Sequence, residues 1–220
     1  MSYFQAQRIQ HVEIIPSDHP NILIGIRRIE HGDQTALFSS EVAALGRAVA
    51  KVRRQSGAAR IIARTLLGQM GFPPTPIVKT RSGVPTWPAG IVGSLAHHDT
   101  AAAAAIAEKK RIATLGIDIE PNEPLPRELV ELIATPRERK VYELSLHKRR
   151  LLFVLKEAVY KSYFPIYKNI IEFQDIEIDI YARLGHVPKS NFTVSLEIII
   201  SNGNMIGLSY FEPISKRKMT

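Results

Sequence analysis

A hairpin signal near the C-terminus limits the folds open to this chain. Residues 192–200 read FTVSLEIII, residues 205–211 read MIGLSYF, and the turn-prone stretch SNGN connects them. Asn-Gly is a strong signal for a two-residue turn between antiparallel strands. The pattern therefore predicts a β-hairpin, and the alternating segment FQDIEIDI at 173–180 predicts a further strand before it.

Helical patterns accompany these strands. Residues 40–70 predict a long helical region with a break or kink at Gly57, which GFPPTP stops because adjacent prolines cannot continue a helix. Residues 147–164 predict the strongest helix, with Pro165 ending it. Its apolar face carries Leu151, Leu155, Ala158 and Val159. ATPRER predicts another helix start, a capping box in which Thr135 is the N-cap residue.

Strands are also expected in the first half of the chain and near its middle. The segments VEII and NILIGI, separated by PSDHPN, predict a strand pair within 13–29. In ATLGIDIE, Ile117 and Ile119 face one way, and Asp118 and Glu120 face the other. The alanine run from Ala101 fits either a helix or a buried strand. The mixture predicts an α/β (α+β) fold with a domain seam near 111–115.

Composition excludes several classes of protein. The chain of 220 residues is 45% apolar, which allows a substantial core in one large or two small domains. It contains no cysteine, so disulfides, thiolate zinc sites and a cysteine nucleophile are excluded. No apolar run is long enough to span a membrane, and the first residues lack the order of a signal peptide. We expect a cytoplasmic protein.

The formal charge of +8 suggests a polyanionic partner. Basic residues concentrate at 51–64, 109–111, 147–150 and 216–218. Nucleic acid, an acidic protein surface and a phosphate-rich small molecule all fit this charge. A solvated surface explains any single cluster equally well.

Four charged residues suggest metal or phosphate chemistry. Asp118 and Glu120 place two oxygen ligands on one strand face, and Mg²⁺ accepts such ligands. An ordinary wet strand face would look the same. Glu157 and Lys161 stand one helical turn apart, as a surface ion pair or as a metal ligand and a phosphate-binding cation.

Other side chains could contact an anion. His97 and His98 in GSLAHH could bind phosphate or act as a base, or be ordinary surface histidines. Ser94 lacks the G-x-S-x-G setting of a hydrolase nucleophile. Lys79 and Arg81 precede a Gly-Val-Pro turn. Guanidinium groups suited to terminal phosphates occur at Arg53, Arg54, Arg60 and Arg64.

Four motifs in order change the interpretation of these residues. They are GVP at 83–85, GSLAH at 93–97, GIDIE at 116–120 and F-x-x-KEAVYK at 153–161. In this order and spacing they resemble the 4'-phosphopantetheinyl transferases of the Sfp/EntD type. The resemblance spans residues 47–161 and includes WPAG before the histidine motif and the R-x6-R spacing of Arg53 and Arg60.

The resemblance implies a fold and an activity. The fold is a pair of pseudo-twofold related α/β subdomains, here residues 1–113 with the coenzyme A phosphate-binding elements and 114–220 with the Mg²⁺-binding and KEAVYK elements. The enzyme transfers the 4'-phosphopantetheine group of coenzyme A to a serine of an apo acyl, peptidyl or aryl carrier protein and releases adenosine 3',5'-bisphosphate. A monomer is expected, with no nucleic acid or membrane as partner.

The resemblance also assigns roles. The Mg²⁺ ligands are Asp118, Glu120 and Glu157, and Glu157 is also placed to accept the serine proton, as base, ligand or both. Lys161 stabilises the departing phosphate and His97 contacts the 3'-phosphate. The coenzyme A contacts are Arg53, Arg60, Lys79, Arg81, Ser94, His97, Asp118, Lys156 and Lys161, with Lys79 and Arg81 as alternatives for one contact.

Three positions depart from the family pattern. Ala96 stands where a hydroxyl residue often precedes the histidine, so one phosphate hydrogen bond is either missing or supplied by His98 or Ser94. Ser82 stands where a lysine often precedes the G-x-P turn, and Leu155 replaces a small residue before KE. Two other functions remain as alternatives, a basic nucleic-acid-binding protein and an inactive relative that only binds carriers. The aromatic content of 7% gives the first little support.

Overall fold

Two antiparallel sheets form the centre of the protein. The computed structural model describes residues 11–142 and 146–213, so the basic cluster at 216–218 lies outside the described residues. The first sheet has the order β1-β2-β4-β3 and the second β5-β9-β8-β7-β6. The strands are β1 Glu13–Ile15, β2 Ile22–Arg28, β3 Ile91–His97, β4 Ala101–Glu108, β5 Thr114–Pro121, β6 Glu177–Asp179, β7 Leu184–Val187, β8 Phe192–Ser201 and β9 Asn204–Phe211.

Each sheet is covered on one face by a long helix. The helices are α1 Ser39–Leu45, α2 Ala50–Gln69, α3 Val130–Ile133, α4 Pro136–Val141 and α5 Leu146–Tyr167. Helix α2 packs on the first sheet and α5 on the second, while the opposite faces of the sheets share a core. Within the described residues, no helix is both long and apolar enough to cross a bilayer.

The alanine run forms a buried strand at the centre of the first sheet. In β4, Ala103 and Ala105 face the shared core, whereas Ala102 and Ala104 lie under α2. Such small side chains let the helix approach the sheet closely. At Gly25, opposite Ala104, an added Cβ would lie 2.6 Å from the Ile62 side chain.

The alternation predicted for GIDIE is confirmed. Ile117 and Ile119 are fully buried in the core between the sheets. The other face of β5 lies against α5, and a Cβ at Gly116 would come within 2.1 Å of the Ala158 carbonyl oxygen. This close packing places Asp118 beside α5 rather than on a wet sheet face.

The predicted break at Gly57 is wrong. Helix α2 runs through Gly57 without interruption, and the preceding break occurs at Gly46, which has φ 55°. A Cβ at Gly57 would lie 2.0 Å from the Asp33 carbonyl oxygen. The glycine therefore permits close contact with a distant segment instead of ending the helix.

Pro165 does not end α5 as predicted. It lies in the last turn, and the chain leaves the helix at Lys168, which has φ 59°. A proline removes the hydrogen bond that its own amide would donate and crowds the carbonyl four residues earlier, and the last turn of α5 accommodates both effects.

Most of the other local predictions are confirmed, but in FQDIEIDI only Glu177–Asp179 forms a strand, and Phe173–Asp175 forms a 3-10 helix. Thr135 and Glu138 form the capping box of α4. Asn202 and Gly203 have φ values of 48° and 73°, which are the left-handed values that a tight β8–β9 turn requires. The α/β (α+β) class with a helix on a sheet in each half is also confirmed, whereas the domain division at residue 113 stays a prediction.

Candidate active site

Side chains from β5 and α5 meet to form an acidic group, which we define as Asp118, Glu120 and Glu157. The Nζ of Lys161 donates hydrogen bonds to Asp118 Oδ1 at 2.7 Å and to the Ile117 carbonyl at 3.1 Å. Glu157 lies one turn before Lys161 on the same helix face. The motifs GIDIE and KEAVYK are therefore joined in space by an ion pair.

Burial raises the pKa of each member of the acidic group, and repulsion from neighbouring carboxylates adds to the rise for Glu120 and Glu157. Desolvation is the main cause for all three carboxyls. The charge of Asp118 adds to the rise in the pKa of Glu120 and of Glu157, and Lys161 opposes it. The group accumulates negative charge that a cation would stabilise.

Arg150 neutralises one member of this group. Its Nη1 donates to Glu120 Oε2 at 2.8 Å, and its Nε donates to the Glu123 carbonyl at 3.2 Å. Glu157 is different, because within residues 11–142 and 146–213 its carboxylate has no hydrogen-bond or ion-pair partner. The three carboxylates of the acidic group thus differ in whether a cationic side chain of the protein already pairs with them.

The oxygen atoms of the acidic group suit a hard cation, although the side chains are not arranged as a complete set of metal ligands. Across the described part of the chain, no three His, Cys, Asp or Glu side chains are arranged as a set of metal ligands. Asp118 Oδ2 is nevertheless buried and lacks a hydrogen-bond partner among those residues. Carboxylate oxygens are the donors that Mg²⁺ prefers.

A cavity of about 740 Å³, which we call the cleft, opens beside Lys161. Its walls come from α2, the 79–87 loop and β3 on one side and from the second half of α5 on the other. Basic side chains at the cleft include Arg60, Lys79, His97, Lys109 and Lys161. Trp87, Phe164 and Ile166 give it an apolar part. This combination suits a ligand that carries both phosphates and apolar groups.

Burial and nearby positive charges lower the pKa of His97 and of Lys79 in the cleft. The pKa of His97 falls to about 4 through desolvation and the charges of Lys79 and Lys161. The pKa of Lys79 is also lowered, by desolvation and by Arg60 and Lys161, although its side chain reaches solvent. His97 is therefore neutral at pH 7, and an anion in the cleft would relieve the repulsion.

Not every predicted coenzyme A contact lies in the cleft. Lys79, Ser94, His97 and Lys161 do. Arg53 instead donates hydrogen bonds to the Ala48 and Gly46 carbonyls. Arg81 is exposed and does not line the cavity.

Arg60 reaches the cleft wall, but its hydrogen bonds go to the interior. It is 1% exposed and donates to the Ile77 carbonyl and to Ser56. Its Nε also lies 3.3 Å from the fully buried Glu41 carboxylate. Arg60 thus supports the cleft wall from behind.

Lys156 points away from the acidic group. Its side chain is fully buried, and Nζ donates to Glu138 Oε2 at 2.7 Å and to the carbonyls of Ile133 and Phe173. These three bonds occupy every proton of the ammonium group. The two lysines of KEAVYK therefore differ, since Lys161 alone reaches the cleft.

Sequence reasoning missed several contributors. In the sequence, Arg150 was visible only as a member of the basic cluster at 147–150. Its spacing of seven residues from Glu157 was the signal that both side chains lie on one helix face. Trp87 packs so closely on Gly93 that a Cβ there would lie 2.5 Å from its ring. Glu41 and Glu138 are buried carboxylates that form ion pairs with Arg60 and Lys156. In the sequence they showed no signal beyond that of helix capping.

Comparisons with known proteins agree with the four motifs. Residues 40–107 match the family model for the 4'-phosphopantetheinyl transferase N-terminal domain, and residues 114–188 match that for the 4'-phosphopantetheinyl transferase superfamily. The chain is 35% identical over 175 residues to the 4'-phosphopantetheinyl transferase Npt of Nocardia iowensis, covering 78% of this chain and 79% of that protein.

Further relatives carry the same family name. Identity to Svp of Streptomyces mobaraensis is 37% over 68% of this chain and 63% of that protein. Identity to PptT of Mycobacterium tuberculosis is 39% over 63% of both chains. Among solved structures, the holo-[acyl-carrier-protein] synthase of Thermotoga maritima aligns over 45% of this chain and 62% of its own at 22% identity. Its TM-score of 0.37 is too low to support a conclusion.

Family models thus match both halves of the chain, and the alignment with Npt covers most of that relative's length. The chain belongs to the 4'-phosphopantetheinyl transferase family, and it is an enzyme.

Proposed function

We propose that this enzyme transfers 4'-phosphopantetheine from coenzyme A to a serine hydroxyl of an apo carrier protein in a Mg²⁺-dependent reaction. The serine oxygen attacks the phosphorus that bears the pantetheine arm, and adenosine 3',5'-bisphosphate leaves with the electrons of the broken P–O bond. The observation that carries this proposal is the position of Lys161, which is bonded to Asp118 and also lines the basic cleft.

The basic part of the cleft supports the binding of a diphosphate. Beside desolvation, the charges of Lys79 and Lys161 lower the pKa of His97, so these three side chains lie close together. Phosphate oxygens placed among them would accept their hydrogen bonds and offset this positive charge. We assign the 3'-phosphate to His97 and Lys79, and the departing phosphate to Lys161.

The acidic group supports a role for Mg²⁺. We propose that Asp118, Glu120 and Glu157 would hold the ion. When bound, the ion would neutralise charge on the pyrophosphate oxygens. Glu157 also has the chemistry of a general base, since its raised pKa makes its carboxylate a better proton acceptor. We therefore propose that Glu157 accepts the serine proton.

The carrier can be an acyl, peptidyl or aryl carrier protein. Siderophore, nonribosomal peptide, polyketide and fatty-acid synthesis all use such carriers, and we leave the pathway open. We propose a cytoplasmic monomer. The nucleic-acid alternative loses support because Arg60 and Arg64 are largely buried against Glu41.

Intact mass spectrometry tests the proposed reaction. Purified protein is incubated with coenzyme A, Mg²⁺ and a panel of apo carriers, and adenosine 3',5'-bisphosphate is measured by chromatography. We expect at least one carrier to gain one phosphopantetheine with equimolar release of the nucleotide, and EDTA to stop both. If no carrier gains mass while the protein binds DNA tightly and with salt dependence, the nucleic-acid alternative is favoured.

A further inference from the structure

The basic cluster at 109–111 has no role in the proposed reaction. Lys109, Lys110 and Arg111 lie in the connection between β4 and β5, and all three are exposed. Lys110 pairs with Glu108, with 3.1 Å between Nζ and Oε2. Lys109 differs from its two neighbours because it lines the cleft and they do not. Among the residues that the structure describes, its ammonium group has no hydrogen-bond or ion-pair partner. An unpaired positive charge therefore stands at the edge of the cleft.

Lys109 lies at the opposite end of the cleft from the groups that we assign to phosphate. Its amide donates to the Gly90 carbonyl at 2.7 Å, which fixes it beside Ile91, the first residue of β3. His97 is the last residue of that strand, and every residue of β3 lines the cleft. A strand of seven residues is about 20 Å long. The cleft thus runs along β3 from His97, which lies close to Lys161, to Lys109.

The walls between these two ends suit the pantetheine arm of coenzyme A. Trp87, Val92 and Phe164 are among the apolar side chains that line the cleft. The arm is a chain of about thirteen bonds from the phosphorus to the sulfur, which at roughly 1.2 Å per bond gives an extended length of about 15 Å. A phosphorus held beside Lys161 would therefore leave the sulfur about 5 Å short of Lys109.

This inference rests on the proposed function and adds a substrate class to it. We propose that the enzyme accepts coenzyme A thioesters of short dicarboxylic acids, with Lys109 as the residue that binds the terminal carboxylate. In a malonyl thioester, the carboxylate oxygen lies about four bonds beyond the sulfur, which at roughly 1.2 Å per bond covers the remaining distance. The flexible stem of lysine accommodates the slightly longer chain of a succinyl group.

The reaction leaves the acyl group unchanged. The carrier serine oxygen forms the new bond to phosphorus, and the serine proton goes to Glu157. Adenosine 3',5'-bisphosphate leaves with the electron pair of the broken P–O bond. The thioester bond is neither formed nor broken, so the carrier receives the complete acyl-phosphopantetheine in one step.

Two thioesters of the same shape isolate the effect of the carboxylate charge. Isovaleryl coenzyme A has a methyl group in place of each carboxylate oxygen of malonyl coenzyme A. The Kd of each is measured by isothermal titration calorimetry with Mg²⁺ at low ionic strength, for the wild-type enzyme, Lys109→Met and Arg111→Met. Arg111→Met is the matched control, because it removes the same charge from the same connection but outside the cleft.

The ratio of the two Kd values measures the role of Lys109. We expect Lys109→Met to weaken malonyl relative to isovaleryl coenzyme A about three- to fivefold, since solvent screens a pair with an exposed lysine. Arg111→Met should keep the wild-type ratio within about 1.5-fold. The wild-type ratio in Lys109→Met would overturn the inference. Equal changes in Lys109→Met and Arg111→Met would also overturn it, because they would indicate only a long-range effect of charge.

Transfer separates this inference from the proposed function. An apo carrier is weighed after incubation with coenzyme A, malonyl coenzyme A or isovaleryl coenzyme A. We expect the carrier to gain the complete acyl-phosphopantetheine from malonyl coenzyme A, and Lys109→Met to lower that kcat/KM about threefold relative to the isovaleryl value. Transfer from coenzyme A with no gain from malonyl coenzyme A would overturn the inference and leave the proposed function intact. No gain from any of the three donors on any carrier would overturn both.

Discussion

The contact between β5 and α5 at Gly116 offers a sharp test of the active-site geometry. Gly116 lies two residues before Asp118, under the turn of α5 that carries Glu157 and Lys161. Replacing this glycine by alanine adds one methyl group that faces the backbone of α5. The change alters no charge and no hydrogen-bonding group of the site.

The size of the effect follows from the packing. The new Cβ would lie 2.1 Å from the Ala158 carbonyl oxygen and 2.7 Å from the Ser162 amide nitrogen. Restoring an ordinary contact of 3.4 Å to that carbonyl moves α5 by about 1.3 Å. Overpacking usually costs about 1–3 kcal/mol, and the obstacle here is backbone, so we expect about 3 kcal/mol. For a chain of this length, that lowers Tm by about 6–12 °C.

The same displacement should also slow the reaction. A misplacement of about 1 Å can cost on the order of a hundredfold in rate. We therefore expect Gly116→Ala to lower kcat about a hundredfold at a temperature well below its Tm. Circular dichroism melts and a carrier-transfer assay measure the two effects.

Gly68→Ala is the matched control. It adds the same methyl group to α2 at an exposed position with no atom within 4 Å, and it should stabilise by up to about 1 kcal/mol with unchanged transfer. If Gly116→Ala melts and transfers like wild type, α5 does not lie on β5 as described.

Two further predictions concern the basic residues. Lys156→Met should lower the free energy of unfolding by roughly 3 kcal/mol because it leaves buried Glu138 without its cation, whereas Lys161→Met, removing a side chain 27% exposed, should destabilise less and lose transfer. Urea unfolding and transfer assays measure both, and the reverse pattern would contradict these roles. In an NMR titration, the pKa of His97 should lie near 4 in the free protein and rise when adenosine 3',5'-bisphosphate binds, because the phosphate favours the charged imidazolium. A pKa near 6.5 that does not change when the ligand is added would refute the placement of His97 in the cleft.

Local features of the fold were predictable from the sequence. The turn at Asn202 and Gly203 and the capping box at Thr135 depend on residues within a few positions of one another. The facing of Asp118 follows from the two-residue period of a strand. What this face meets depends on where α5 packs, and local patterns carry no such information.

Two of the errors have a long-range cause. Gly57 looked like a helix break, but it accommodates the Asp33 carbonyl from a separate segment. Lys156 looked like a ligand contact, but its acceptors come from Ile133, Glu138 and Phe173. In both cases the deciding neighbour is distant in sequence, so neither spacing nor periodicity could identify it.

The intact mass of an apo carrier tests the central claim most directly. The carrier is weighed after equal times with coenzyme A, Mg²⁺ and either the wild-type enzyme or Asp118→Asn, which removes the charge beside Lys161 but keeps the size of the side chain. We predict that the wild-type enzyme adds one phosphopantetheine per carrier. Asp118→Asn, folded with a Tm close to wild type, should transfer at least roughly a hundredfold more slowly. Transfer by Asp118→Asn at the wild-type rate would contradict the account.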